Sequence, residues 1–212
     1  MTQVFNRFTM EVLPLGPLET NCYILTETVS GQCVVVDPAE EAEFLISHMA
    51  AQSIQCRQIV LTHGHYDHIG ALSALAEATG AEVAIHKLDH PMLLEPASNF
   101  SSLMGENYRY DKPVKLLSDG DTIAVGKAEL RVLHTPGHTL GGICLLAEDF
   151  LLSGDTLFQL SVGRSDFPGG DASALIRSIR EKLMVLPDSL PVFPGHGPAT
   201  TIANEKRGNP YL

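Results

Sequence analysis

The chain is poor in the features that mark several whole classes of protein. Its four cysteines, Cys22, Cys33, Cys56 and Cys144, contain no C-x-x-C pair, so their spacing excludes a zinc knuckle. A disulfide framework does not suit so few cysteines in 212 residues, and small buried hydrophobes are the expected role. There is no basic tract, and 14 Lys+Arg against 25 Asp+Glu leave a net charge of −11. Neither nucleic acid nor an anionic membrane surface is therefore expected as a partner. No apolar run approaches the length of a membrane span. The segment Met1 to Arg7 lacks an apolar signal core, so a cytoplasmic rather than exported protein is expected. Charged residues make up only 18% and hydrophobic residues 44%, which excludes a disordered or coiled-coil chain. One domain over 1–212 is the expected organisation, and oligomeric state is not legible.

What is present is a strand-rich pattern in two halves. Phe8 to Leu15, Asn21 to Thr26 and Gln32 to Val36 are β-branched or apolar runs bounded by Gly and Pro. Phe44, Leu45 and Met49 predict a helix over Glu40 to Gln52. A strand from Gln58 to Leu61 leads through a polar turn into a helix ending at Gly80, followed by a strand from Ala81 to Ile85. After a short helix near Lys87 to Leu94, the polar stretch from Glu95 to Pro113 reads as a mobile flap or lid. Further strands are expected near Thr122–Val125, Glu129–Leu133, Ile143–Leu146, Phe150–Leu152 and Leu190–Phe193. Helices are expected over Ala172–Leu186 and Ala199–Arg207.

The nine histidines are not scattered. His63, His65, Asp67 and His68 follow one strand, while His138, Asp155 and His196 each follow another. Loops converge beyond the carboxyl ends of strands, which is where open sheets gather ligands. Residues two apart in extended chain point the same way, so His63 and His65 can grip one ion. Asp67 is placed to N-cap the next helix and, with His68, to face a second position. Imidazole and carboxylate suit zinc or iron better than magnesium or calcium. Seven ligands exceed the needs of one tetrahedral ion, so two divalent ions are expected, zinc first, with iron or manganese open. His48, His86, His90 and His134 read as ordinary structural residues, His134 with least assurance because it lies four residues before His138.

The run Thr62-His63-Gly64-His65-Tyr66-Asp67-His68 resembles the signature of the metallo-beta-lactamase superfamily. That resemblance implies an αβ/βα four-layer sandwich of two mixed sheets with helices on the outer faces. It also implies His63, His65 and His138 on one metal, Asp67, His68 and His196 on the other, and Asp155 bridging. The segments Thr135 to Thr139, Ser153 to Phe158 and Phe193 to Thr201 are similar to short, single-domain glyoxalase II-like hydrolases. The chain reaches Leu212 without the C-terminal helical domain that supplies glutathione contacts in longer enzymes.

The resemblance implies a small-molecule thioester substrate, such as S-D-lactoylglutathione, attacked by hydroxide held between the ions. Asp67 is the expected catalytic residue, orienting that hydroxide or taking its proton. Arg164 is a candidate for a substrate carboxylate, and an ion pair with Asp166 or Asp171 is its equally available role. Tyr23 and Tyr66 are placed to edge the site. Persulfide dioxygenases, with one iron, share the Gly-Arg-x-Asp-Phe pattern seen at Gly163–Phe167, and lactonases use similar ions.

Overall fold

The computed structural model describes residues 2–212, and Met1, the head of the segment read for a signal core, lies outside them. Seven strands form the first sheet in sequential order: β1 (Thr2–Val4), β2 (Phe8–Leu15), β3 (Thr20–Glu27), β4 (Gln32–Val36), β5 (Gln55–Leu61), β6 (Glu82–His86) and β7 (Lys115–Leu117). β1 to β4 pair antiparallel and β4 to β7 parallel, so the sheet is mixed. The parallel half needs crossovers, supplied by α1 (Ala42–Ala51), the α2 (Tyr66–Ile69) and α3 (Leu72–Thr79) pair, and α4 (His90–Leu94) with its following loop.

The second sheet contains β8 (Thr122–Val125), β9 (Ala128–His134), β10 (Ile143–Leu146) and β11 (Leu151–Gly154). A two-stranded ribbon, β12 (Leu157–Phe158) and β13 (Ser161–Val162), follows β11. Then come α5 (Ala172–Ser178), β14 (Pro191–Pro194), β15 (Thr200–Thr201) and α6 (Ile202–Gly208). The sheet order is β15-β14-β11-β10-β9-β8, with β11 and β14 the parallel pair.

Side-chain alternation explains the layers. Along β4, Val34 and Val36 face the other sheet, where they meet Val132, Leu145 and Phe193, whereas Cys33 and Val35 face Leu45 and Met49 of α1 and Leu75 of α3. On the second sheet, Leu133, Cys144, Leu151 and Val192 face away from the first sheet toward Leu175 and Ile202 of α5 and α6. The result is helix, sheet, sheet, helix, as expected from the sequence. Phe150 is fully buried between the sheets, with Phe5, Phe8 and Phe193 around its ring. All four cysteines are free and buried, as the composition implied. No helix among the described residues is long and apolar enough to cross a membrane.

Three expectations change. The helix expected over Ala172–Leu186 ends as α5 at Ser178 and widens into a π-turn at Ile179–Leu183, which keeps both of those apolar residues buried against the sheet. Thr200 and Thr201 pair with β14 before α6 begins, because the Thr201 hydroxyl caps the Asn204 N–H. The stretch from Glu95 to Pro113 is not a detached flap. Asn99 is fully buried, donating to Met92 O and Tyr108 O while accepting from Ser101 N. Tyr110 N donates to Leu93 O, and the Tyr108 hydroxyl bonds Ser73. These ties anchor the stretch at its buried residues Asn99, Ser101 and Tyr110, while the run from Ser102 to Asn107 is exposed.

Candidate metal centre

The local sequence fixes the approach of each donor. β5 ends at Leu61, the chain bends at Thr62 and His63, and His65 is extended (φ −72°, ψ 148°) before α2 begins at Tyr66. His65, not Asp67, therefore takes the N-cap position. Asp67 lies in the first turn of α2, so its carboxylate caps nothing and instead accepts from the Thr20 hydroxyl at 3.1 Å. β9, β11 and β14 deliver His138, Asp155 and His196 from the second sheet. The sheets are stitched at this edge, where Asn21 N donates to Gly195 O at 2.8 Å and Asn21 Nδ2 donates to Pro194 O. Tyr23 is buried here and donates to the same Pro194 carbonyl at 2.6 Å, so it braces the seam instead of edging the site. Gly195 is required by close approach, since a methyl group there would overlap Asp155 Oδ1 and crowd the His68 ring.

All seven expected residues converge. His138 Nε2 lies 3.0 Å from His65 Nδ1 and 3.3 Å from His63 Nε2. On the other side, His68 Nε2 lies 3.3 Å from His196 Nε2, with Asp67 Oδ2 at 3.5 and 3.2 Å from those two nitrogens. Asp155 reaches both groups, with Oδ1 at 3.4 Å from His68 Nε2 and Oδ2 at 3.6 Å from both His138 and His196 Nε2. Three sets of donor atoms lie close enough to hold an ion: His63, His65 and His138; His63, His68 and Asp155; and Asp67, His68 and His196.

The outer nitrogens are already committed. His138 Nδ1 donates to the Arg164 carbonyl at 2.7 Å and His196 Nδ1 donates to the Leu18 carbonyl at 3.0 Å. His68 Nδ1 donates to Asp37 Oδ2 at 2.8 Å. The Thr62 hydroxyl gives its proton to Asp37 Oδ2 at 2.6 Å, so it accepts from His63 Nδ1 at 3.1 Å. When these four rings are neutral the inward Nε2 is a lone pair, and lone pairs then face one another across 3.3 Å. That arrangement is repulsive unless a cation lies between them. Nitrogens about 2.0–2.1 Å from a tetrahedral zinc are themselves about 3.3–3.4 Å apart, so the spacing fits. Asp155 Oδ1 points the same way, because it is buried without a hydrogen-bond partner.

The electrostatics match a cation receptor. Burial, then the neighbouring imidazoles, hold His63 well below the usual histidine range and His65 at about 3, so both stay neutral and able to ligate. Burial would raise Asp67 and Asp155, but His68 and the other facing histidines pull both below the ordinary carboxylate range. Burial would also lower His68 and His196. The carboxylates around them win instead, Asp67 and Asp155 at both rings and Asp37 at His68, and hold each raised.

The expected structural histidines stay outside. His48 pairs with Glu11 at 2.9 Å, while His86 and His134 stack on each other at 4.0 Å. Asp37 was missed from sequence, although it sits at the end of β4, the strand beside β5. Of the two roles left open for Arg164, the structure shows the ion pair. Arg164 forms a two-bond pair with Asp166 at 2.9 and 3.0 Å, and it also lines a cavity of about 470 Å³ that opens onto the donors. Tyr66 lines the same cavity.

Strand ends from both sheets that pool imidazoles and carboxylates around a shared cavity are a metallo-hydrolase type of site, with donors compatible with a dinuclear centre. A family model for the metallo-beta-lactamase superfamily matches residues 15–196. The chain belongs to that superfamily. Among solved structures, the B3 metallo-beta-lactamase BLEG-1 is 39% identical with a TM-score of 0.91, over 96% of this chain and 99% of that one. TTHA1623 in a di-iron-bound form is 37% identical at 0.86, over 95% and 100%. ETHE1 from Myxococcus xanthus is 32% identical at 0.79, over 95% and 83%. The hydroxyacylglutathione hydrolase GloC of Haemophilus influenzae is 34% identical over 96% of this chain and 97% of its own.

Proposed function

We propose that this chain, as one domain, is a metal-dependent hydrolase of acyl thioesters, S-D-lactoylglutathione or a related compound. The observation that carries the reading is the inward set of unshared donors, His63, His65 and His138 beside Asp67, His68 and His196, with Asp155 touching both groups at the mouth of a cavity. We assign these two triads to two divalent ions, zinc first, and Asp155 to both. Ions bound there would supply Lewis acidity and a water whose pKa falls from about 15.7 to about 7. The likeness to GloC, by its name a hydroxyacylglutathione hydrolase, supports the thioester class.

The chain's own residues orient and exclude. Thr62, Asp37 and the Leu18 and Arg164 carbonyls fix the ring tautomers, which keeps each inward nitrogen basic. Asp67 stays ionised beside His196 and lines the cavity, so its carboxylate can accept a proton from attacking water. A thiolate, with parent pKa near 8.5, departs without strong acid assistance, which suits a cavity lined mainly by apolar side chains.

A second reading has its own support. The segment Gly163-Arg164-Ser165-Asp166-Phe167 is also the pattern of persulfide dioxygenases, so oxygen-dependent oxidation of a persulfide is the rival. Thiol release from S-D-lactoylglutathione and simpler thioesters separates the two. The hydrolase reading expects chelation to abolish release and zinc to restore it. Rapid oxygen uptake with glutathione persulfide, without thioester cleavage, overturns it.

A further inference from the structure

The cavity beside the donors is chemically lopsided. His65, His138, His196, Asp67 and Asp155 line part of it, and the rest of the lining includes the apolar side chains of Leu18, Phe100, Leu103, Met104, Phe158 and Phe167. The apolar part is an organised surface. Phe100 takes a left-handed backbone (φ 68°), which a bulky residue adopts only under constraint from its surroundings. That constraint is the buried Asn99 anchor, and its effect is to lay the Phe100 ring over His65, centroids 4.9 Å apart at 25°. The Phe167 ring meets Phe100 at 4.8 Å. Beyond them, Leu103 and Met104, 77% and 52% exposed, extend the same apolar surface at the cavity rim.

Charge at the cavity tells against an anionic ligand group held away from the metal donors. Arg164 is the one Lys or Arg among the described residues that line it. Its guanidinium is gripped by both oxygens of Asp166 and lies 4.0 Å over the Phe167 ring. Asp166 neutralises that guanidinium, so a substrate carboxylate meets an ion pair and not a free cation.

Resting on the thioesterase reading above, we propose that this cavity selects neutral thioesters bearing an alkyl or aryl group. Phe100, Leu103, Met104 and Phe167 are the surface that recognises that group. Glutathione, with two free carboxylates, is then a poor handle for this chain, and Asp166 is the residue that makes it poor.

The test compares metal-loaded protein on the hexanoyl and acetyl thioesters of N-acetylcysteamine, on the acetyl thioester of hexanethiol, and on S-D-lactoylglutathione. Each buried methylene contributes about fourfold. At least one hexyl-bearing probe should therefore exceed acetyl-N-acetylcysteamine by tenfold or more in kcat/KM. Leu103→Gln with Met104→Gln, on the exposed tip, should cut that ratio to within about threefold with an unchanged melting temperature. Asp166→Ala should raise kcat/KM for S-D-lactoylglutathione several-fold by freeing Arg164. Calorimetry with the uncleavable S-hexyl thioether of N-acetylcysteamine reads the cavity without catalysis and should show the same dependence on Leu103 and Met104. If the thioether binds that way and no thioester is cleaved, the hydrolase reading falls and the apolar cavity stands. If neither hexyl probe outpaces the acetyl reference, or S-D-lactoylglutathione leads by tenfold, the inference is overturned while thioester hydrolysis survives.

Discussion

Two clusters of histidines bridge the two sheets, and they are built on opposite principles. In the His86–His134 pair, one ring from β6 and one from β9 lie face to face, 15° from parallel, with nitrogens turned outward. His134 Nε2 donates to the Leu140 carbonyl at 2.9 Å, and His86 Nδ1 accepts from Leu88 N. In the His63–His138 cluster the rings meet edge to face, 82° apart, and the nitrogens turn inward toward each other. Stacking satisfies the first pair with nothing added. The second is stable only with something positive between its lone pairs. What marks a metal centre is thus the direction in which the unshared nitrogens point, and proximity of histidines alone does not reveal it.

The largest test of this contrast removes an inward donor. His63→Ala or His138→Ala should lower metal-dependent turnover on the order of 10³-fold, because several kcal/mol of charge stabilisation is lost. His134→Ala should change turnover less than twofold in the same assay. The next effect concerns orientation. Asp37 accepts from Thr62 N, the Thr62 hydroxyl and His68 Nδ1, so Asp37→Ala should weaken metal affinity about 10–100-fold by equilibrium competition with a chelator. Equal affinity in the variant and the parent would remove Asp37 from the centre's support.

The smallest effect sharpens the stacked side. Burial, then His134 and Lys87, hold His86 at about 4, while Asp119 and Asp121 oppose the shift. Unfolding releases that ring to its ordinary value near 6.5. The unfolded state therefore binds more protons between pH 6.5 and 4, and stability falls as pH drops through that window. His86→Phe should remove a share of the acid loss on the order of 1 kcal/mol, read as the difference in urea midpoints at pH 7 and pH 4.5. Identical pH dependence in variant and parent would show that His86 titrates alike in the folded and unfolded states.

The strands and the seven candidate donors were legible from local pattern, whereas the four layers and the division of the donors between two ions were expected from the family resemblance. Strand alternation at Val34–Val36 and the His63–His68 spacing need only the chain's own periodicity. What was not legible depends on partners distant in sequence. Asp37 earns its role only once β4 lies against β5 and brings it to Thr62 and His68. Asp67 reads as a cap by position, yet His65 takes that place because α2 begins two residues earlier, at Tyr66. The Glu95–Pro113 stretch is polar and glycine-containing, as a loose flap would be, but one buried asparagine pins it. Arg164 could not be assigned from its neighbours, because Asp166 and the cavity both lie within its reach.

The most direct measurement is elemental analysis of purified protein, reloaded with zinc and desalted, beside His196→Ala treated identically. The two-centre account predicts two ions per chain in the parent and one in the variant, with His63, His65 and His138 keeping theirs. One ion per chain in both proteins, or none in either, would contradict it.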